Sequence, residues 1–203
     1  MLVNVALVDA VFREVPKASL DAEPAVCFVL DEGLRLIYCN PAWDRFAGQN
    51  DAPPQVYAEK ALGTPVLEST SGELFGYYQS LYRSAFADRK PRDHDFHCSS
   101  GVVERLMRMH VYGLRNAPAL LVSCSVRVER PHTVPSSQAD EAAYRDRNGL
   151  IVMCGNCRRT RRADLDIETW EWVSEHVAHQ PRMVSHSVCG LCLEYYYPVT
   201  AQS

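Results

Sequence analysis

Between residues 23 and 130 the apolar positions fall in short, mostly alternating runs, and they predict strands interrupted by amphipathic helices. Ala25–Leu30 is a compact apolar run, Asp31-Glu32-Gly33 a turn, and Leu34–Cys39 a second run, which together read as a β-hairpin. Asn40-Pro41 predicts a helix start, an N-cap side chain followed by proline at the first helical position. That helix presents Trp43, Phe46 and Ala47 on one face, and Gly48 ends it. Residues 50–69, with Pro53, Pro54 and Pro65, read as loop. Thr70-Ser71-Gly72-Glu73 has the form of a capping box ahead of Leu74, Phe75, Tyr78, Leu81, Tyr82 and Ala85, spaced for one helical face. Three strands follow. Phe96 and Cys98 alternate with polar neighbours; Val103, Arg105, Met107, Met109 and Val111 share one face of a long strand; Leu120, Val122, Cys124, Val126 and Val128 share one face of the last. Residues 1–22 fit either a strand or a short helix over Val3–Phe12, interrupted by Pro16.

The pattern changes after residue 130. Residues 131–147 are polar, with prolines and serines, and read as a linker. Residues 148–200 form a separate module. Leu150–Met153 predicts a short strand. Ile167, Trp170, Val173 and Val177 are spaced for one face of a helix from about Asp166 to Gln180, ended by Pro181. Trp170 is the expected core residue of that helix, with Trp172 pointing elsewhere.

This module carries the clearest chemistry. Cys154-Gly155-Asn156-Cys157 and Cys189-Gly190-Leu191-Cys192 are two CxxC pairs, and each places two thiols on one side of a tight turn. Brought together they make a closed tetrahedral sulfur site for zinc; iron or an iron–sulfur centre is the alternative. The gap between the pairs, residues 158–188, is longer than the roughly 15–20 residues of a zinc ribbon, so a helix is expected inside it. His186 is read as orienting a thiolate or packing, because four cysteines already complete the shell. Arg158, Arg159, Arg161 and Arg162 are read as charge offsetting a dianionic tetrathiolate; a nucleic-acid contact is the weaker reading, because the whole chain carries a net charge of −4.

Apolar residues at 47% and charged residues at 23% are those of an ordinary globular chain. No cationic leader or membrane-length apolar run is visible, so a reduced, cytoplasmic setting is expected, with Cys27, Cys39, Cys98 and Cys124 as small packed hydrophobes. Phosphate loops, nucleophile elbows and HExxH helices are missing. His94 and His97 flank Asp95 but point to opposite faces of a strand, and both read as ordinary polar residues.

Two stretches resemble known families. Ile37-Tyr-Cys-Asn-Pro-Ala-Trp-Asp-Arg-Phe-Ala47 and His97-Cys-Ser-Ser-Gly-Val-Val-Glu-Arg105 resemble PAS domains over residues 23–130. That resemblance implies an α+β fold, a PAS-like five-stranded antiparallel sheet with helices over one face. It also implies a homodimer, with residues 1–22 as the candidate dimer element. Trp43, Phe46, Tyr78, Arg105 and Met107 are candidates to line a small-ligand pocket. Cys154-Gly-Asn-Cys-Arg-Arg159, Trp170 and Ser185-His-Ser-Val-Cys-Gly-Leu-Cys192 are similar to a short module at the end of bacterial PAS-containing signalling proteins, beside kinase or response-regulator domains. Together the resemblances imply a non-enzymatic sensor with a signalling partner such as a kinase or regulator. A redox- or metal-responsive thiolate switch is the competing class.

Overall fold

Alternation along the first apolar runs becomes an antiparallel sheet. The computed structural model describes residues 4–68, 70, 72–133 and 135–197, without the side chains of 72 and 73. Strands β1 (Val26–Asp31), β2 (Leu36–Cys39), β3 (Arg92–His97), β4 (Val103–Gly113) and β5 (Ala119–Pro131) form a five-stranded sheet in the order β2-β1-β5-β4-β3. The chain is mixed α+β, with helices flanking this sheet. By contacts it groups into two units. The first is Met1–Thr70, Phe75–His94 and Arg108–Val126; the second is Ser71–Leu74, Asp95–Met107 and Arg127–Ser203.

In the first unit β1 pairs with β2 and, from Val26 opposite Cys124 to Asp31 opposite Ala119, with β5. The Asp31 carboxylate closes the hairpin turn by accepting from the N–H groups of Gly33 and Arg35, both at 2.9 Å. Both faces of β1 are buried. Cys27 and Val29 pack with Val11 and Leu20 from α1 (Val5–Glu14) and α2 (Lys17–Ala22). Phe28 points the other way and meets Trp43 of α3 (Pro41–Gln49) edge-on, with ring centroids 5.5 Å apart. This corrects the expectation of helices over one face only. Of residues 1–22, read as a candidate dimer element, Val5–Glu14 and Lys17–Ala22 are helices that pack on the chain's own sheet, because a four-residue apolar core in β1 needs cover on both sides, and residues 1–3 lie outside the described residues.

Asn40 also departs from its expected role. It sits at the N-cap of α3 but makes no side-chain cap bond. Its amide is buried, accepts from Cys27 N–H at 2.9 Å and donates to the carbonyls of Ala25 and Leu20 at 2.9 and 3.1 Å. The side chain stitches three backbone segments together instead of capping one. Residues 50–69, read as loop, hold a 3₁₀ turn (Pro54–Val56) and α4 (Ala58–Ala61). On α5 (Gly72–Asp88) Tyr82 and Ala85 are buried, whereas Phe75 is 39% exposed. The capping box expected ahead of that helix falls partly outside the described residues. Along β5, Leu120, Val122 and Cys124 are buried, while Val126 and Val128 are 48% and 44% exposed.

The second unit contains a four-stranded sheet, β8-β7-β6-β9, from β6 (Ile151–Cys154), β7 (Thr160–Arg161), β8 (Trp170–Glu171) and β9 (Val184–Ser187). Its core is Ala143, Tyr144, Ile151 and Val173. Two expectations are corrected here. Inside the stretch read as linker, α6 (Glu141–Tyr144) is capped by Asp140 and buries Tyr144. The helix expected from Asp166 to Gln180 is replaced by β8 and a five-residue α7 (Ser174–Ala178), and Ile167 is 79% exposed. The physical reason is pairing. Trp170 and Glu171 complete an antiparallel ladder opposite Arg161 and Thr160, and β-branched and aromatic residues around them suit a strand. Trp172, not Trp170, is the buried tryptophan.

Candidate metal centre

Parallel strands set this site. β6 and β9 run in the same direction, with Cys154 opposite Ser187, so both end at one edge of the sheet. Each runs into a CxxC turn there. A parallel pair needs a crossover of a dozen residues or more. Residues 158–183, carrying β7, β8 and α7, supply it. The long gap between the cysteine pairs is therefore the length of that crossover.

The first turn closes on its own backbone. Cys154 N–H donates to the Arg159 carbonyl at 2.8 Å and Arg158 N–H to the Cys154 carbonyl at 3.0 Å, with Arg158 in the left-handed region at φ +65°. Gly155 N–H donates to the Ser187 carbonyl at 2.7 Å and ties this turn to β9. Cys189 precedes α8 (Gly190–Tyr196), and Cys192 lies in its first turn.

The ligand atoms of Cys154, Cys157, Cys189 and Cys192 all lie within 4.8 Å of one another. The Cys157 and Cys189 sulfurs are 3.8 Å apart. A tetrahedron with metal–sulfur bonds of about 2.3 Å has edges of about 3.8 Å, so this donor set fits a tetrahedral metal ion. Cys154, Cys189 and Cys192 are buried and Cys157 half-buried. Two N–H groups point at sulfur: Cys189 N–H at 3.4 Å from Cys154 Sγ, and the Asn156 amide at 3.2 Å from Cys192 Sγ.

Electrostatics argue the same way. Thiol donation from Cys157, then Cys189 and Cys192, pulls the Cys154 pKa far below the usual thiol range. The bonds to Cys154 push Cys157 and Cys192 far above it. Cys154, and to a smaller extent Cys189, ionises at the expense of Cys157 and Cys192, and only a cation lets all four carry charge together.

Asn156 was not singled out from the sequence. It is buried between the first cysteine pair, and its carbonyl oxygen accepts from His97 N–H at 3.1 Å and the Tyr197 hydroxyl at 3.0 Å. His97, read as an ordinary polar residue, meets the Tyr196 hydroxyl at 2.8 Å, and burial pushes its pKa down. A polar residue inside a CxxC turn was the available signal for Asn156; nothing local marks His97. His186 stands opposite Met153 on β9 and is not one of the four clustered groups. Arg162 is engaged by Asp164 at 2.6 Å and Glu171 at 3.3 Å.

The candidate pocket residues divide between the units: Trp43, Phe46 and Tyr78 in the first, Arg105 and Met107 in the second. Trp43 donates its indole N–H to the Val56 carbonyl at 2.7 Å. Arg105 is buried and donates to Glu129 at 2.6 Å and the Cys98 carbonyl at 3.0 Å.

Solved structures to which the chain is similar are PAS domains. That of BvgS from Bordetella pertussis is 20% identical, with 56% of this chain and 85% of that chain covered and a TM-score of 0.43. That of an HTR-like protein from Haloarcula marismortui is 16% identical, covering 54% and 92%, with a TM-score of 0.38. The photoactive yellow protein domain of the sensor histidine kinase Ppr from Rhodospirillum centenum is 17% identical, covering 57% and 96%, with a TM-score of 0.39. No family model and no curated protein matches the chain. No helix among the described residues is long and apolar enough to cross a membrane.

Proposed function

We propose that this chain is a non-enzymatic signalling protein, a PAS-type sensor unit joined to a module folded around a structural zinc ion. The observation that carries the zinc assignment is the convergence of four cysteine sulfurs at tetrahedral spacing. Cys154, Cys157, Cys189 and Cys192 would hold the ion. Bound there, zinc supplies folding free energy and no chemistry, because four protein ligands leave it no open position. The sensor assignment is supported by the sequence resemblance over residues 23–130 and by an antiparallel five-stranded sheet of the implied kind. Trp43, Phe46 and Tyr78 of the first unit are the side chains proposed to meet its ligand, and a second copy or a kinase or regulator its partner.

Native mass spectrometry with elemental analysis of the purified chain tests this reading. One zinc per chain is expected, and the same spectrum reads the oligomer and any retained small molecule. Iron in its place, or an intramolecular disulfide among the four cysteines, refutes it.

One observation favours a redox-responsive second reading: Cys157 is only half-buried, so oxidant can reach one ligand sulfur. Zinc content that stays constant under mild peroxide eliminates that reading.

A further inference from the structure

Beside the cysteine cluster, and wholly within the second unit, lies a cavity of about 350 Å³. That volume falls in the range of small-molecule sites, roughly 300–1,000 Å³. Its walls are aromatic. The His132 ring stacks on Trp172 with centroids 3.8 Å apart and 29° between planes. His132 is fixed there by its Nε2 bond to the Ser100 carbonyl at 2.9 Å. Helix α8 supplies Tyr195 and Tyr196, and Tyr195 is 78% exposed. Such rings favour a flat ligand.

Charge selects among flat ligands. Arg159 lines the cavity and forms no ion pair among the described residues. Glu104 also lines it, but Arg130 neutralises its carboxylate at 2.9 Å. Cys157 and Cys192 of the adjacent cluster also line the cavity, and sulfurs of that cluster accept from Cys189 N–H and the Asn156 amide. Arg159 is thus a lining guanidinium without an ion-pair partner among the described residues, and guanidinium pairs best with a planar carboxylate.

We propose that this cavity is a binding site for a small planar aromatic carboxylate, with its ring among Trp172, His132 and Tyr195 and its carboxylate on Arg159.

The test is isothermal titration calorimetry of the full chain with three probes of one shape: indole-3-acetate, its neutral amide and cationic tryptamine. Indole-3-acetate is expected to saturate one site with a dissociation constant on the order of 0.1–1 mM, the range ligand efficiency allows for so small a molecule. The amide should bind about tenfold more weakly and tryptamine more weakly still. Arg159→Met keeps the aliphatic stem and should abolish the preference for the acid. Tyr195→Ala, at an exposed position, should weaken all probes by a similar factor without disturbing the fold. Absence of saturable binding, tryptamine equal to or tighter than the acid, or an unchanged preference in Arg159→Met overturns the proposal. Metal content measured on the same sample keeps this outcome separate from that of the zinc assignment.

Discussion

Replacing Asn156 by alanine removes three hydrogen bonds from one buried amide. The Oδ1 atom accepts from His97 N–H at 3.1 Å and from the Tyr197 hydroxyl at 3.0 Å, and Nδ2 donates to Cys192 Sγ at 3.2 Å. The amide orientation follows from the His97 N–H, which can only donate and so needs Oδ1 facing it. Alanine leaves two donors without an acceptor. Each buried orphan costs about 1–3 kcal/mol, and the partly buried His97 N–H falls at the low end. A loss of about 3 kcal/mol in the stability of the zinc-loaded chain is expected. Losing the N–H donor to sulfur should lower metal affinity by roughly 10–100-fold, as for other partners of metal ligands. Asn156→Asp separates the two effects. It keeps the acceptor for Tyr197 but sets a carboxylate against a thiolate, so it should cost less stability than alanine in the loaded chain and more metal affinity. Urea unfolding gives the first quantity, and zinc competition with a chromophoric chelator the second. If Asn156→Ala stays within about 0.5 kcal/mol and twofold of the parent, the amide does not organise the centre and the reasoning fails.

Arg158 takes a left-handed conformation at φ +65°, which costs a non-glycine residue about 1–2 kcal/mol. Arg158→Gly should therefore unfold at higher urea than Arg158→Ala, by about 1 kcal/mol, and equal midpoints would show that this backbone is unstrained in solution. Burial lowers the His176 pKa in the folded chain, with its Nδ1 3.1 Å from the Thr160 hydroxyl. The unfolded chain then takes up a proton near pH 6.5, before the folded one does. Its contribution is full above about 6.5 and lost as the pH falls through the lower folded value. His176→Gln should flatten the dependence of stability on pH below about 6.5, and an unchanged slope rules this out. Asn40→Ala removes the buried amide that joins Cys27 N–H to the Ala25 and Leu20 carbonyls, and should cost about 3 kcal/mol by thermal or urea unfolding. A cost below 1 kcal/mol, roughly that of one exposed cap, would return Asn40 to the simpler role. Stripping the metal with a strong chelator should abolish protection of the β6 and β9 amides from hydrogen exchange while leaving β1 and β5 protected.

Sequence alone determined what depends on local periodicity. The β1–β2 hairpin, the alternation of Arg105, Met107, Met109 and Val111 along β4, and the two cysteine turns all follow from spacing within a few residues. Tertiary pairing decided the rest. Ile167, Trp170, Val173 and Val177 carry a helical period, yet Trp170 and Glu171 form a strand because β7 offered them a ladder. Asn40 has the sequence of a cap, yet its amide bridges distant backbone because burial leaves those groups no water to bind. Asn156 and His97, 59 positions apart, meet only because the first cysteine turn packs against the end of β3, a contact that no local pattern records. Periodicity reports which face of a segment is buried; it holds no record of what the other side of the contact will be, and that partner fixed the form of the crossover and the surroundings of the sulfur cluster.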